Sequence, residues 1–419
     1  MNENEKVSEN PIKRLFRVLG PGLITGASDD DPSGIATYSQ AGAAFGHRLL
    51  WTSVLTFPLM AAIQEMCARI GMVTQHGLSG VVKRYYPKWI LYVVILFSFP
   101  AITLNIGADL AGMGAVANML FPTISPHTFS ISFTLLLMVF VIFVPYRKMA
   151  AVLKWLCLSL LCYCVVPFIS KQDWVEIIYN TIIPSMSWDK AYRAAFVGIL
   201  GTTISPYLFF WQASVEVEET LEKKIIVDKQ TLSEMRLDVR FGILFSNIVF
   251  YFIIMTTGTV LFPAGIHEIT TVDQAAEALR PLAGESAYLL FAVGVIGTGM
   301  LAIPVLAGSL SYILADTFDW EEGMNKKFFE AKKFYSVIII SLLVALSIDY
   351  MGISPVRALI ITAILYGVTA PFLIGIILHI SNNKKIMRDE INSRSSNILG
   401  FITLVVMTVA AILLLITSI

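Results

Sequence analysis

The stretch Gly26-Ala-Ser-Asp-Asp-Asp-Pro-Ser-Gly-Ile-Ala-Thr-Tyr38 decides how this chain folds. It lies inside an apolar run, from about Leu15 to Leu50, that otherwise reads as a membrane segment. An Asp at the centre of a membrane helix costs about 2.5–3.5 kcal/mol, and a Leu or Ile regains only about 0.3–0.6. Three ionised carboxylates in lipid would cost on the order of 7–10 kcal/mol, so Asp29, Asp30 and Asp31 must face protein, water or a cation. Pro32 lacks an N–H, and Gly26 and Gly34 loosen the helix on either side. A break there leaves free carbonyls and the negative end of a half-helix dipole beside the carboxylates, which together make a cation site. Irregular backbone at that depth is tolerated only where it is buried or lines a cavity. The plainer alternative is an aqueous cap on an ordinary helix, which suits Asp29 and Asp30 better than Asp31.

Composition sets the class. The chain has 419 residues, 56% hydrophobic and 14% charged, against roughly 25% charge in soluble domains. It reads as an all-α integral membrane protein. Formal net charge is zero, which says nothing about partners; no nucleic-acid partner is expected. Cys67, Cys157, Cys162 and Cys164 lie in apolar stretches without metal-ligand spacing and read as packing residues. No nucleophile–base pair or cofactor motif is present, so no enzyme activity and no cofactor are expected. The expected partners are a transported ion and membrane lipid, with the protein monomeric.

Apolar runs of roughly 18 residues or more give about eleven membrane segments. They fall near 15–45 (broken), 48–70, 89–119, 128–145, 149–169, 191–217 (broken), 241–262, 286–315, 334–350, 354–381 and 397–418. Residues 1–14 form a polar tail without a cleavable-signal pattern. Lys and Arg concentrate in alternate connections, among them Lys83, Arg84, Lys223, Lys224, Lys326, Lys327, Lys384 and Lys385. The positive-inside rule then places the N-terminus in the cytoplasm and, with an odd helix count, the C-terminus outside the cell membrane.

The sixth segment repeats the logic of the first. Gly198-Ile-Leu-Gly-Thr-Thr-Ile-Ser-Pro-Tyr207 puts Thr202, Thr203, Ser205 and Pro206 in the middle of an apolar run. The two breaks are five segments apart, an odd number, so the second copy is inverted. Paired interrupted helices are the best sequence pointer to a secondary transporter's midplane site. The chain divides accordingly into a first repeat over 15–170 (helices 1–5), an inverted second repeat over 190–381 (helices 6–10) and a peripheral helix over 397–419. In the third segment Asn105 and Asp109 share one face; a lone membrane Asp either marks an ion or proton path or is satisfied by backbone donors of a neighbouring broken helix. Glu65 and Arg69, four apart, are expected to pair within the second segment. Glu216, Glu218 and Glu219 read as a solvated helix end or an acidic vestibule. Asn247, Ser309 and Ser311 are candidates for hydrogen bonds between helices.

At these residues the chain resembles the NRAMP (natural resistance-associated macrophage protein) family of divalent-metal transporters, and within it the NRAMP-related magnesium transporter branch. The resemblance rests on Gly20-Pro-Gly22, Asp31-Pro-Ser-Gly34, Ala41-Gly-Ala-Ala-Phe-Gly46, Ala108-Asp-Leu-Ala111 and Gly201-Thr-Thr-Ile-Ser-Pro206. It implies a fold of two inverted five-helix repeats, shared with sodium-coupled amino-acid symporters. The departures are informative. The family's Asp-Pro-Gly-Asn is here Asp31-Pro32-Ser33-Gly34, and its Met-Pro-His is Ser205-Pro206-Tyr207. A Glu three residues after the helix-three Asp is Gly112, and the helix-ten Gln falls on Ala363.

A thioether favours softer transition metals, whereas Mg²⁺ takes oxygen and keeps several waters. The expected metal site is therefore an oxygen set from Asp31, Ser33, Gly34, Thr202, Thr203, Ser205 and Asp30. Asp29, Asn105, Asp109 and Tyr207 are the candidates for pathway or coupling. The expectation is alternating-access uptake of Mg²⁺, with Mn²⁺ as a second ion and weak or no proton coupling. A potential of 100 mV alone gives a divalent ion roughly 4.6 kcal/mol. An ordinary Mn²⁺/Fe²⁺–proton symporter and an organic-solute symporter of the same fold are the rivals, ahead of a non-transporting sensor.

Overall fold

A computed structural model describes residues 20–145, 148, 151, 155, 158–187 and 189–418. It is helical, with no strand among the described residues. The elements are α1 (Pro21–Asp29), α2 (Pro32–Phe45), α3 (Trp51–Thr74), α4 (Leu78–Tyr85), α5 (Lys88–Leu120) and α6 (Pro126–Phe143). Then come α7 (Cys162–Ile169), α8 (Trp174–Ile182), α9 (Lys190–Thr203), α10 (Pro206–Glu222) and α11 (Lys229–Val260). Last are α12 (Ala287–Phe318), α13 (Lys332–Ile348), α14 (Pro355–Asn382) and α15 (Arg394–Ser418). Much of the expected fifth segment, with Lys154 and Cys157, and the tail at 1–14 lie outside the described residues.

Local chemistry sets where the helices start. α1, α2, α6, α10 and α14 each open on proline, whose missing N–H would be unsatisfied there anyway. Asp189 caps α9 by accepting from Tyr192 N at 2.8 Å, and Asp228 caps α11 through Thr231 N at 2.8 Å. That second cap starts α11 at Lys229, twelve residues before the apolar run does, because the added turns are amphipathic and escape a hydropathy reading. Seven helical spans among the described residues are long and apolar enough to cross a membrane. The broken helix α1–α2, the 17-residue α13 and α3, with its Gln64, Glu65 and Arg69, pack among them.

The packing follows the inverted repeat. α1 and α2 both lie against α11, and α10, the counterpart of α2, lies against α3, the counterpart of α11. α5 packs on its own counterpart α12, and α14 closes over α9 and α2. Both counterpart crossings are close. A side chain at Gly42 of α2 would collide with the Ile254 carbonyl of α11, as one at Gly26 of α1 would with the Gly242 backbone, and one at Gly71 of α3 with the Ala213 backbone of α10. Small residues thus replace apolar burial as the means of bringing membrane helices together.

The expected Glu65–Arg69 pair does not form. Arg240 of α11 takes Glu65, its Nη2 donating to Oε2 at 3.4 Å, and Arg69 donates to Asn392. A partner on another helix satisfies a buried carboxylate without bending its own. The expected hydrogen bonds between helices are present: Thr56 donates to Asn247 at 3.1 Å, Ser309 to the Tyr207 carbonyl at 3.1 Å and Ser311 to the Phe334 carbonyl at 2.9 Å.

Candidate metal site at the paired helix breaks

The two breaks have nearly the same backbone. α1 ends on Asp30 (φ −84°, ψ 54°) and α9 on Ile204 (φ −104°, ψ 59°). An extended residue follows each, Asp31 (φ −68°, ψ 171°) and Ser205 (φ −73°, ψ 121°), and then the proline of the next half-helix. Each break therefore sets the carbonyl end of one half-helix beside the amide end of the other.

Their side chains differ. Asp31 caps α2, accepting from Gly34 N at 2.7 Å through Oδ1. Its Oδ2 accepts from Asn105 Nδ2 at 3.0 Å, and the same amide group donates to Asp109 Oδ2 at 2.8 Å. Asn105 thus joins two buried carboxylates, each at most 2% exposed. Asp29 and Asp30 turn the other way, sharing the Ser246 hydroxyl of α11 at 2.9 and 3.2 Å. Asp29 Oδ1, Asp30 Oδ2, Asn105 Oδ1 and Asp109 Oδ1 are buried without a hydrogen-bond partner among the described residues. Free acceptor oxygens around a carboxylate are what a cation would satisfy. Among the described residues no three or more His, Cys, Asp or Glu side chains converge as a metal cluster.

The structure brings together part of the expected ligand set. A Cβ at Gly34 would stand 3.4 Å from both the Asp29 carbonyl and Thr202 Oγ1, so these two oxygens face the space that glycine leaves. With Asp31 they form the oxygen-lined junction of the two breaks. The remaining hydroxyls have other partners. Ser33 donates to the Leu359 carbonyl at 2.9 Å and meets Thr362 at 3.1 Å, while Thr203 pairs with Tyr38 at 3.0 Å. Ser205 bends back onto the Thr202 and Gly201 carbonyls. Tyr207 donates to the Ser28 carbonyl at 3.1 Å, linking α10 to the end of α1.

Four residues near the breaks escape a reading of the chain in order. Ser246 sits beside Asn247, the more conspicuous polar residue. Tyr38 and Tyr366 are aromatics in apolar helices; the buried Tyr366 hydroxyl has no partner among the described residues, and its ring lies 5.8 Å from that of Tyr207. Met113, one turn beyond Asp109 on α5, has its sulfur against Gly299 of α12, where Pro32 also packs. Neither break carries a Met or Cys of its own; this thioether arrives from the third membrane helix, which sequence distance conceals.

The solvated-end reading of Glu216 and Glu218 is also overturned. Glu216 is buried and accepts from Gln212 at 2.8 Å. Glu218 accepts from Tyr312 and from Met324 N, the latter at 2.8 Å, tying α10 to the connection between α12 and α13. In that connection, burial together with the nearby Asp316 and Glu218 carboxylates pushes Glu322 up to about 9. At the opposite flank Asp238 of α11 caps α1, accepting from Gly20 N and Gly22 N at 2.9 and 2.7 Å.

Comparisons with known proteins agree with this architecture. The divalent metal cation transporter MntH of Caldanaerobacter subterraneus subsp. tengcongensis is 24% identical over 398 residues, covering 93% of this chain and 90% of that protein. The MntH of Clostridium acetobutylicum is 24% identical over 424 residues, covering 99% and 94%. A crystal structure of the Eremococcus coleocola manganese transporter, bound to an aromatic bis-isothiourea substituted compound, superposes with a TM-score of 0.75. It is 17% identical and covers 96% of this chain and 87% of that one. It shares the fold, in which the broken first and sixth helices head two inverted repeats. A profile of the natural resistance-associated macrophage protein-like family matches residues 22–417, and the chain belongs to that family.

Proposed function

We propose that this protein carries divalent metal cations across the cell membrane by alternating access, with the ion held at the junction of the two helix breaks. The observation that carries the reading is Asp31, a buried carboxylate at the meeting of two interrupted helices. Its Oδ1 accepts from the Gly34 amide, and the Asp29 carbonyl and Thr202 Oγ1 lie beside the same glycine. The ligands are Asp31, the Thr202 hydroxyl and the Asp29 carbonyl, completed by water. Ser33, Thr203 and Ser205 shape the site from one layer out, and Asp30 adds negative potential. Mg²⁺ is the preferred ion, because the ligands assigned here are all oxygens and neither break carries a thioether or thiolate of its own. Transport needs little or no proton coupling, since Tyr207 and Gly112 stand where the family carries titratable groups.

A second reading, Mn²⁺–proton symport, has specific support. Relatives across the full length carry the name MntH, Met113 offers a thioether near Pro32, and Asn105 links Asp31 to a second buried carboxylate at Asp109. Uptake into proteoliposomes, with internal pH recorded and Cd²⁺ as competitor, separates the two. Mg²⁺ entry without acidification and with little Cd²⁺ block is expected. Mn²⁺ entry with acidification, strong Cd²⁺ block and no Mg²⁺ flux would overturn the Mg²⁺ reading in favour of the second.

A further inference from the structure

Away from the breaks, the end of α6 and the connection between α12 and α13 enclose a cavity of about 460 Å³. Its walls are apolar, with Val141, Phe143, Val144, Phe328 and Phe329 among them, and Lys326 and Lys327 at the rim. Phe329 is 79% exposed and Phe143 is 76% exposed. Further back on α6, Leu135 and Val139 are also exposed. Lys332 lies over the Phe329 ring at 5.6 Å and Lys333 over Trp320 at 5.3 Å. Lysines above exposed aromatics mark a membrane–water boundary, with rings at headgroup depth and ammonium groups in the phosphate layer.

The acidic residues of the same connection do not cancel this charge at the cavity. Glu321 is paired with Lys326 at 2.5 Å and Asp319 with Lys83 at 2.6 Å. Glu322 is turned inward, leaving Glu330 against Lys327, Lys332 and Lys333. An apolar slot with an unbalanced basic rim at headgroup level is complementary to one kind of molecule. We propose that this cavity is a binding site for an anionic phospholipid, with an acyl chain between Phe143 and Phe329 and the phosphate held by Lys327, Lys332 and Lys333.

The site is mechanically connected to the transport core. Met324 N and Asn325 Nδ2, at 2.8 and 3.4 Å, bond the two oxygens of Glu218 on α10, the half-helix that begins at the second break. Tyr335, which lines the cavity, donates to the Lys326 carbonyl at 2.5 Å. Bound lipid steadies this connection and so biases the position of α10.

The test needs no transport assay and is independent of which ion is carried. The full chain is reconstituted in phosphatidylcholine vesicles containing a minor fraction of brominated phosphatidylglycerol or, in parallel, brominated phosphatidylcholine. Subtracting the signal of Trp320→Phe isolates quenching at Trp320. Brominated phosphatidylglycerol is expected to quench several-fold more strongly at equal fraction. Lys327→Gln, Lys332→Gln and Lys333→Gln should each cut that preference, by up to roughly fivefold per lysine. A Lys384→Gln/Lys385→Gln variant at the next basic connection should keep it. Equal quenching by the two lipids in the wild-type protein would overturn the proposal whether or not any variant folds. So would an unchanged preference in the lysine variants, or abolition of the contrast by inorganic phosphate.

Discussion

The two helix breaks share a backbone and differ in chemistry. At the first, three carboxylates crowd the junction and turn to two other helices: Asp29 and Asp30 to α11, Asp31 to α5. At the second there is no charge, and the hydroxyls of Thr203 and Ser205 are already engaged, one by Tyr38 and one by its own helix. The inverted repeat thus decides where irregular backbone lies in the membrane, because each copy needs a proline-led half-helix there. Residue type alone sets the chemistry of each: the first break carries charge, and the second offers neutral hydroxyls, among them the Thr202 ligand proposed above.

The largest expected effect comes from removing the charge that distinguishes them. Asp31→Ala should lower Mg²⁺ uptake by more than ~100-fold, beyond the range seen for residues that only orient a ligand. Ser205→Ala at the matching position should cost no more than about tenfold, the scale of one neutral hydrogen bond. Equal losses in proteoliposome flux would show that Ser205 binds the ion as directly as Asp31. Asp30→Ala should weaken uptake without abolishing it; a loss as deep as that of Asp31→Ala would make the acidic run one shared cluster.

Next in size is Asn105→Ala, which frees Asp31 and Asp109 from their common donor. Mg²⁺ affinity, read by calorimetry, should fall by about 10–100-fold, as for other second-layer groups. The comparison sharpens further with Ser205→Met, which places a thioether at the neutral break. Cd²⁺ should then compete roughly tenfold better against Mg²⁺ uptake, about 1.4 kcal/mol. No change would mean that Met113 already supplies the soft contact. The smallest effect is expected for Ser246→Ala. It leaves Asp29 and Asp30 without their shared donor and should lower stability by about 1–3 kcal/mol in thermal unfolding, with flux largely kept.

The sequence determines more of this protein than its low similarity to relatives suggests. Apolar run lengths define the membrane helices, and Asp31-Pro32 and Ser205-Pro206 locate both breaks to the residue, because proline and charge inside an apolar run have few physical explanations. Asn105 and Asp109 are legible as one helical face. Tertiary structure alone decided which oxygens converge. Ser33, Thr203 and Ser205 look like ligands in a list of polar residues, yet each hydroxyl finds a nearer acceptor or donor. Ser246, Tyr366 and Met113 approach the breaks from helices far away in the chain. Helix periodicity tells which residues share a face but carries no information on which other helix that face meets. In this fold the meeting is set by close crossings at residues such as Gly26 and Gly242, and these exist only once the two repeats have packed.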